Sequence, residues 1–473
     1  MNAPWLCLAL LSVWGCLFAG LVLPAQAMAQ VLLLPNARAV PGELGFLMGG
    51  ALTALASSGE ALWFNPAGLA LETGSRLTVG GAALRMQSAA AGGPASETAE
   101  LAPGSLAYAR ALGERRGYPR FVVGLGLAQT VDQRLPTRIE GTRRGSGASL
   151  PPGLSPPGGS VDANFPAGLT ITEVGDATGV LRILAPGVAL GIAPTDWLRV
   201  GIGLELERVT LSERVDLATG YSAVNGGSTL SGQSQLGWRL AGEALRAVAS
   251  WGVQLELSPR WLLGLVLRLP SEHLRGAGRV RYQRSDVFQT TGGVAPSGSE
   301  AVLVIGDGLP FRLESPRRLQ VGLAYRSDRF LIEVDVYRTG AQAPYAALPA
   351  GESRPPSTMP FVLPAVRTAS TAVLGAAVGM AYAQTARTSL LLSFAADPAT
   401  VPPDDGLFRS VDVNTVSAGA YHVRGDLSVS IGVVYREARQ TGVPAVPPDG
   451  GQPVPLDVNL RELAVQLGTS LAF

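Results

Sequence analysis

The chain contains no lysine, and all 37 basic residues of the 473 are arginine. They stand against 36 acidic residues for a net charge of +1, so no charge excess points to nucleic acid or an anionic surface as partner. Cysteine is nearly absent: Cys7 and Cys16 both fall in the first 29 residues, which leaves the rest of the chain without a disulfide or a thiol. Histidine is limited to His273 and His422. His422 shares strand parity with Asp412 and Asn414. Successive same-face positions on a strand are about 7 Å apart, so these are no preassembled catalytic group. Asp404-Asp405 in a Pro-flanked stretch reads as a solvated turn. The sequence thus implies no enzyme, no metal site and no cofactor. Charged residues are scarce as well, at 15% against 47% hydrophobic, which is unusual for a chain of this size in water. Yet beyond residue 29 no apolar run reaches the roughly 18 residues that a spanning helix needs. If the chain enters a membrane, it does so as strands.

What is present begins with an export signal. Leu6 to Leu23 is continuously apolar and leads into Pro24-Ala25-Gln26-Ala27-Met28-Ala29, with small-x-small cleavage sites after Ala27 or Ala29. Residues 1–29 are therefore expected to be removed.

Residues 30–74 show neither strand alternation nor a good helical stripe. Gly42, Gly45, Gly49 and Gly50 interrupt them, and a compact, mostly buried segment fits that composition. Within it, Asn65 is a good N-cap and Pro66 suits a first helical position, predicting a short helix from Pro66 to Glu72. Phe46, Leu47, Met48, Leu52, Leu55, Leu62, Trp63 and Phe64 are too many apolar side chains for a water-filled plug. They line a hydrophobic pocket or pack the segment against a wall.

From Ser75 the period becomes two. Leu198, Val200, Ile202, Leu204 and Leu206 alternate with Arg199, Gly201, Gly203 and Glu205, and the last strand sets Leu463, Val465, Leu467, Leu471 and Phe473 on one face. Fourteen such segments follow one another between 75–86 and 460–473, including 261–283 and 310–326. Short turns alternate with long Gly-, Pro- and Ser-rich connections at 131–178, 215–240, 284–309, 342–368, 397–410 and 440–459. An even strand number with short-long alternation predicts a bacterial transmembrane β-barrel, which leaves no strand edge unpaired in lipid.

The stretch Gly59-Glu60-Ala61-Leu62-Trp63-Phe64-Asn65-Pro66-Ala67-Gly68-Leu69, the strand pair around Leu257-Ser258-Pro259-Arg260-Trp261, and Leu319 to Glu333 together resemble the FadL/TodX outer-membrane family of fatty acid and hydrocarbon transporters. The resemblance implies an all-β, fourteen-stranded antiparallel barrel over 75–473 with long extracellular loops, and an N-terminal, partly helical hatch over 30–74 folded inside it. It implies uptake of hydrophobic compounds, long-chain fatty acids or hydrocarbons, with a kinked third strand as lateral exit. Phe64, Asn65, Pro66 and Ala67 carry over as the hatch motif. Phe46, Leu47, Leu55, Trp63 and Phe64 are the candidate ligand contacts, and Leu471 with the terminal Phe473 resembles the membrane-insertion signal of such barrels. The implied partners are a hydrophobic small molecule or lipid, the lipid of the outer membrane, and the barrel assembly machinery during insertion, with the chain a monomer and no nucleic acid bound. The competing reading is a structural or secretion-accessory barrel that binds protein partners through its loops. The stretch from Arg143 to Asp162, with Pro151-Pro152 and Pro156-Pro157, suits either role.

Overall fold

The computed structural model of the protein describes residues 42–473 apart from 92–95, 101–103, 116–117, 146–168, 226–227, 292–297, 353–361, 364, 401–411 and 446–453. The export signal, the start of the 30–74 segment and the Pro-rich part of the 131–178 connection lie outside the described residues.

Fourteen strands close into one ring. They are β1 (Ser75–Ala91), β2 (Ser105–Arg115), β3 (Tyr118–Gly145), β4 (Leu169–Ile192), β5 (Leu198–Asn225) and β6 (Ser228–Ser258). A broken β7 follows (Trp261–Arg268, then Glu272–Thr290), and then a broken β8 (Gly298–Pro310, then Arg318–Arg326). The ring continues with β9 (Phe330–Thr339), β10 (Val373–Ala383) and β11 (Thr388–Asp397). It ends with β12 (Val413–Arg424), β13 (Leu427–Ala445) and β14 (Val454–Ala472). Each strand pairs antiparallel with the next, and β14 pairs back onto β1 from Arg76↔Ala472 to Ala91↔Val458. Such closure satisfies every ladder without leaving an edge.

The two ends differ. At one end the turns are tight, as at Gly425-Asp426, where Gly425 takes φ +62, a left-handed conformation that favours glycine. At the other end the wall rises much further than the sequence period suggests. β5 has 28 residues and β6 has 31, so the stretch 215–240, expected as a loop, is for the most part a hairpin of wall. Its Gly, Ser and Thr content reads as loop, but alternate Leu236, Trp238 and Leu240 are buried and hold it in the sheet.

Along β5 the apolar face changes sides. Ile202, Leu204 and Leu206 point outward and are exposed, while Glu205 and Glu207 point inward and are buried. Beyond Glu207 the outward positions are Arg208, Thr210, Ser212 and Arg214, and the buried inward ones are Val209, Leu211, Val215 and Leu217 together with Glu213, which accepts from Trp238 Nε1 at 3.1 Å. A strand that is apolar outside and polar inside suits lipid; the reverse suits water with a dry core. The span from Leu198 to Leu206, about nine residues, matches the length that a tilted strand needs to cross a bilayer. Trp197, Trp261 and Phe330 mark the short-turn edge of this band and are exposed, as half-wet rings at the headgroup level should be. The inward residues of the upper wall form one large hydrophobic cluster, with Tyr282 and Phe311 fully buried.

Sequence alternation predicts 261–283 and 310–326 as single strands, but each is broken. Pro270, which has no N–H for the ladder, lies in the gap of β7. Opposite it, residues 311–317 leave the wall and turn inward. There the Phe311 ring lies on Gly242, where any Cβ would come within 2.8 Å of it.

Candidate functional site inside the barrel

Residues 42–74 lie within the ring of strands, and their contacts reach most of the way round it. Short helical turns run over Ser58–Glu60, Ala61–Phe64 and Pro66–Leu71. The last is 3₁₀ rather than α-helical. The Asn65 side chain accepts from Ala67 N at 3.1 Å, with Pro66 in first position as its missing N–H permits.

Asn65 does more than cap. Fully buried, it donates through Nδ2 to Thr53 O at 2.7 Å and to Val253 O of β6 at 3.1 Å. This ties two parts of the segment to each other and to the wall. Close approach is possible because Gly191, Gly201 and Gly252 are direct cross-strand neighbours on β4, β5 and β6. A Cβ on Gly201 would lie 2.3 Å from Pro66 C, and one on Gly252 would lie 2.0 Å from Asn65 Oδ1. The three form a bare strip of backbone under the Asn-Pro-Ala turn.

On the opposite side, neighbouring inward carboxylates of β9 hold the turn before the helices. Asp335 accepts from Thr53 N at 3.1 Å and Thr53 Oγ1 at 2.6 Å, and Glu333 accepts from Ala54 N at 2.5 Å. Gln254 Nε2 of β6 donates to Ala56 O at 3.0 Å. A third tie lies toward β13, where Ser428 and Ser430 hydroxyls donate to Glu43 Oε2 and Glu43 O at 3.0 and 2.8 Å. Glu60 accepts from Leu44 N. Burial pushes the Glu60 carboxyl up to about 8, and the neighbouring Glu43 adds to the rise. These wall residues carried only a weak sequence signal: Glu333, Asp335 and Gln254 read simply as the polar positions of alternating strands, and the glycines as strand interruptions.

Two adjoining cavities of about 110 Å³ each lie inside the barrel beside the segment. Both are lined by Arg268, Arg318, Tyr337 and Asp397. The one next to the segment also meets Trp63, Phe64 and Pro66, while the other is lined by Leu181, Ile183 and Leu313 among its apolar residues. Of the residues expected to contact ligand, the structure brings Trp63 and Phe64 to a cavity. Leu47 instead packs in the core between segment and wall, Leu55 packs beside Leu262 and Ala324, and Phe46 is buried away from both cavities. Their positions follow from the wall: Leu47 covers Gly419 and Gly432, contacts that sequence alone does not reveal.

The junction of the cavities is polar. Arg268 makes a two-pronged pair with Glu205 at 2.8 Å on each arm and reaches Glu207 at 2.7 Å. Arg246 shares Glu207 and donates to Leu313 O at 2.6 Å. Buried charges held this way are matched and fixed. Arg318 is held differently, its guanidinium 3.6 Å above the Tyr337 ring, while the Tyr337 hydroxyl donates to Asp397. Arg318 Nε and Trp63 Nε1 are buried with no hydrogen-bond partner among the described residues. Sequence reading missed Arg268, Arg318 and Tyr337. Their signal was an inward arginine or tyrosine at strand parity within the lipid band, where an ionisable group marks a pathway or site.

Among the described residues no cluster of His, Cys, Asp or Glu is arranged to hold a metal ion, and no helix is long and apolar enough to cross a membrane.

No protein-family model and no curated protein sequence matches the chain. Solved structures do. The toluene transporter TodX of Pseudomonas putida superposes with a TM-score of 0.55 at 15% identity, covering 94% of this chain and 100% of that one. A FadL homologue of Pseudomonas aeruginosa gives 0.55 at 12% identity, covering 93% and 99%. The monoaromatic hydrocarbon channel CymD gives 0.51 at 14% identity, covering 94% and 99%. Closed on itself, banded with apolar residues on its outer face and alike to these proteins over nearly its whole length, the chain is a fourteen-stranded outer-membrane barrel with the fold of the FadL and TodX proteins.

Proposed function

We propose that the protein takes up hydrophobic compounds through the outer membrane. In this reading residues 42–74 act as a hatch, and the solute carries an apolar body and one acidic head. The observation that carries the reading is the pair of adjoining cavities with Arg318 at their junction. Apolar side chains on either side stabilise a hydrocarbon body by roughly 25 cal/mol per Å² buried. A half-buried guanidinium whose Nε–H is buried and unused suits an acid oxygen. Proteins of this fold named as toluene transporter and monoaromatic hydrocarbon channel support uptake of hydrophobic solutes in general. The polar junction here favours a fatty acid over a bare hydrocarbon.

Uptake of labelled long-chain fatty acid and of labelled toluene, by cells with and without the protein, tests this. Fatty acid uptake is expected to depend on the protein and to fall in Arg318→Ala, with toluene uptake less affected. Equal uptake with and without the protein refutes the transporter reading, and loss of an exported protein instead supports the accessory-barrel alternative.

A further inference from the structure

Above the lipid band the outer wall carries a ladder of arginines that no transport step uses. Arg214 of β5 lies directly opposite Arg239 of β6, and Arg239 lies directly opposite Arg281 of β7. All three face outward and are exposed. Like charges directly opposed across a sheet are destabilising, so a row of three invites a counter-charge from outside the chain. Arg214 is paired with Asp216 on its own strand, and Arg281 donates to Gln283 Oε1 at 3.4 Å. Arg239, in the middle, has no hydrogen-bond or ionic partner among the described residues.

The row tops a larger basic field on the outward face of β4 to β7. Below it come Arg279, which pairs with Asp307 at 2.6 Å, and Arg208, which pairs with Glu243 at 2.9 Å. Arg182 and Arg275 point the same way. Height gives the field its meaning. Arg208 stands two residues beyond Leu206, which ends the exposed apolar run Ile202, Leu204 and Leu206 of β5, and Arg214 eight residues beyond it. At ~3.3 Å per residue and a strand tilt of ~40° this places the arginines from roughly 5 to roughly 20 Å above the hydrocarbon. That is the layer of phosphorylated headgroups and acidic inner sugars in an outer leaflet of lipopolysaccharide. Short turns at the other end of the barrel put this wall on the cell-surface side.

We infer that the outward arginine field of β4 to β7 binds the phosphate and carboxylate groups of outer-leaflet glycolipid, with the Arg214–Arg239–Arg281 row as its core. The site lies on the lipid-facing exterior and is separate from the cavities. It rests on the outer-membrane reading and is independent of which solute the lumen takes.

The test uses the full chain in mild detergent, with purified lipopolysaccharide and its dephosphorylated form as probes. Binding is measured for the unaltered protein and for the triple variant Arg214→Gln, Arg239→Gln, Arg281→Gln. At about fivefold per arginine lost, the triple variant is expected to bind intact lipopolysaccharide roughly a hundredfold more weakly. Dephosphorylated probe is expected to bind both proteins weakly, and added salt to weaken only the strong case. The side chains are exposed, so heat-modifiable electrophoretic migration should show the same folded barrel in both, and the single variant Arg239→Gln gives an intermediate loss. Equal binding of intact probe by unaltered and triple-variant protein overturns the inference, as does equal binding of the two probes by the unaltered protein. Binding of an acidic protein or of nucleic acid in preference to lipopolysaccharide also overturns it.

Discussion

Asn65→Ala isolates the tie between the inner segment and the wall. The substitution removes the acceptor for Ala67 N and both hydrogen bonds donated by Nδ2, to Thr53 O and Val253 O. A net contribution near 1 kcal/mol per bond gives about 3 kcal/mol, and the loss falls on docking of the segment, since no ladder bond of β5 or β6 uses this side chain. The ties through Asp335, Glu333, Gln254 and Ser428 remain, so the segment should stay docked on average but open more often. At 1.4 kcal/mol per tenfold, 3 kcal/mol is roughly a hundredfold in the open population. Hydrogen exchange of purified protein in detergent reads this directly: amides from Thr53 to Leu71 should lose about two orders of magnitude in protection, while those of β5 and β6 stay unchanged. Asn65→Asp keeps an acceptor for Ala67 N and loses both donated bonds, so it separates the helix start from the anchorage. Uptake should fall in both variants with the amount of folded barrel constant. Unchanged protection over 53–71 in Asn65→Ala would refute the reasoning, because it would mean that the three hydrogen bonds of Asn65 hold nothing.

Two further outcomes follow from the band and from Glu60. Leu204→Arg, on the exposed apolar face of β5, should cost about 2 to 4 kcal/mol in barrel stability, whereas Thr210→Arg, outward on the same strand above the switch of faces, should cost close to nothing; equal costs in urea-titrated refolding into lipid would show that the change of faces does not mark the membrane edge. Docked, Glu60 titrates at about 8 instead of near 4.5, so docking is strongest below pH 4.5 and weakens as pH rises to 8, by at most about 1.4 kcal/mol per pH unit. Protection of amides 42–60 should therefore fall between pH 5 and 8.5, and Glu60→Gln should flatten that slope; an unaltered slope in the variant would assign it to another group.

Strand number and faces were legible because each lipid-crossing stretch repeats one period with apolar side chains on one side. The upper wall was not, since above Leu206 the apolar residues keep the period but change sides and mix with Gly, Ser and Thr, the composition of a loop. Breaks in β7 and β8 had only prolines as local signs, Pro270 in the first and Pro310 and Pro316 in the second. At the candidate site, Asn65-Pro66 announced a helix start from local chemistry alone, and Trp63 and Phe64 announced an apolar patch. The partners of these residues were hidden because a closed barrel brings together positions separated by far more chain than any local pattern spans. Asp335 lies 282 residues from Thr53, and the strip of glycines is one strip only once β4, β5 and β6 are in register.

That strip bears on how the inner segment can move. Side chains that interdigitate must be lifted out of one another before two surfaces slide, which makes motion stepwise and slow. Where Gly191, Gly201 and Gly252 face the inner segment, the wall offers bare backbone and no side chain of its own to disengage. Grip there comes from a few directed bonds and hardly at all from shape. A segment held in this way is freed by exchanging hydrogen-bond partners and needs no rearrangement of the wall.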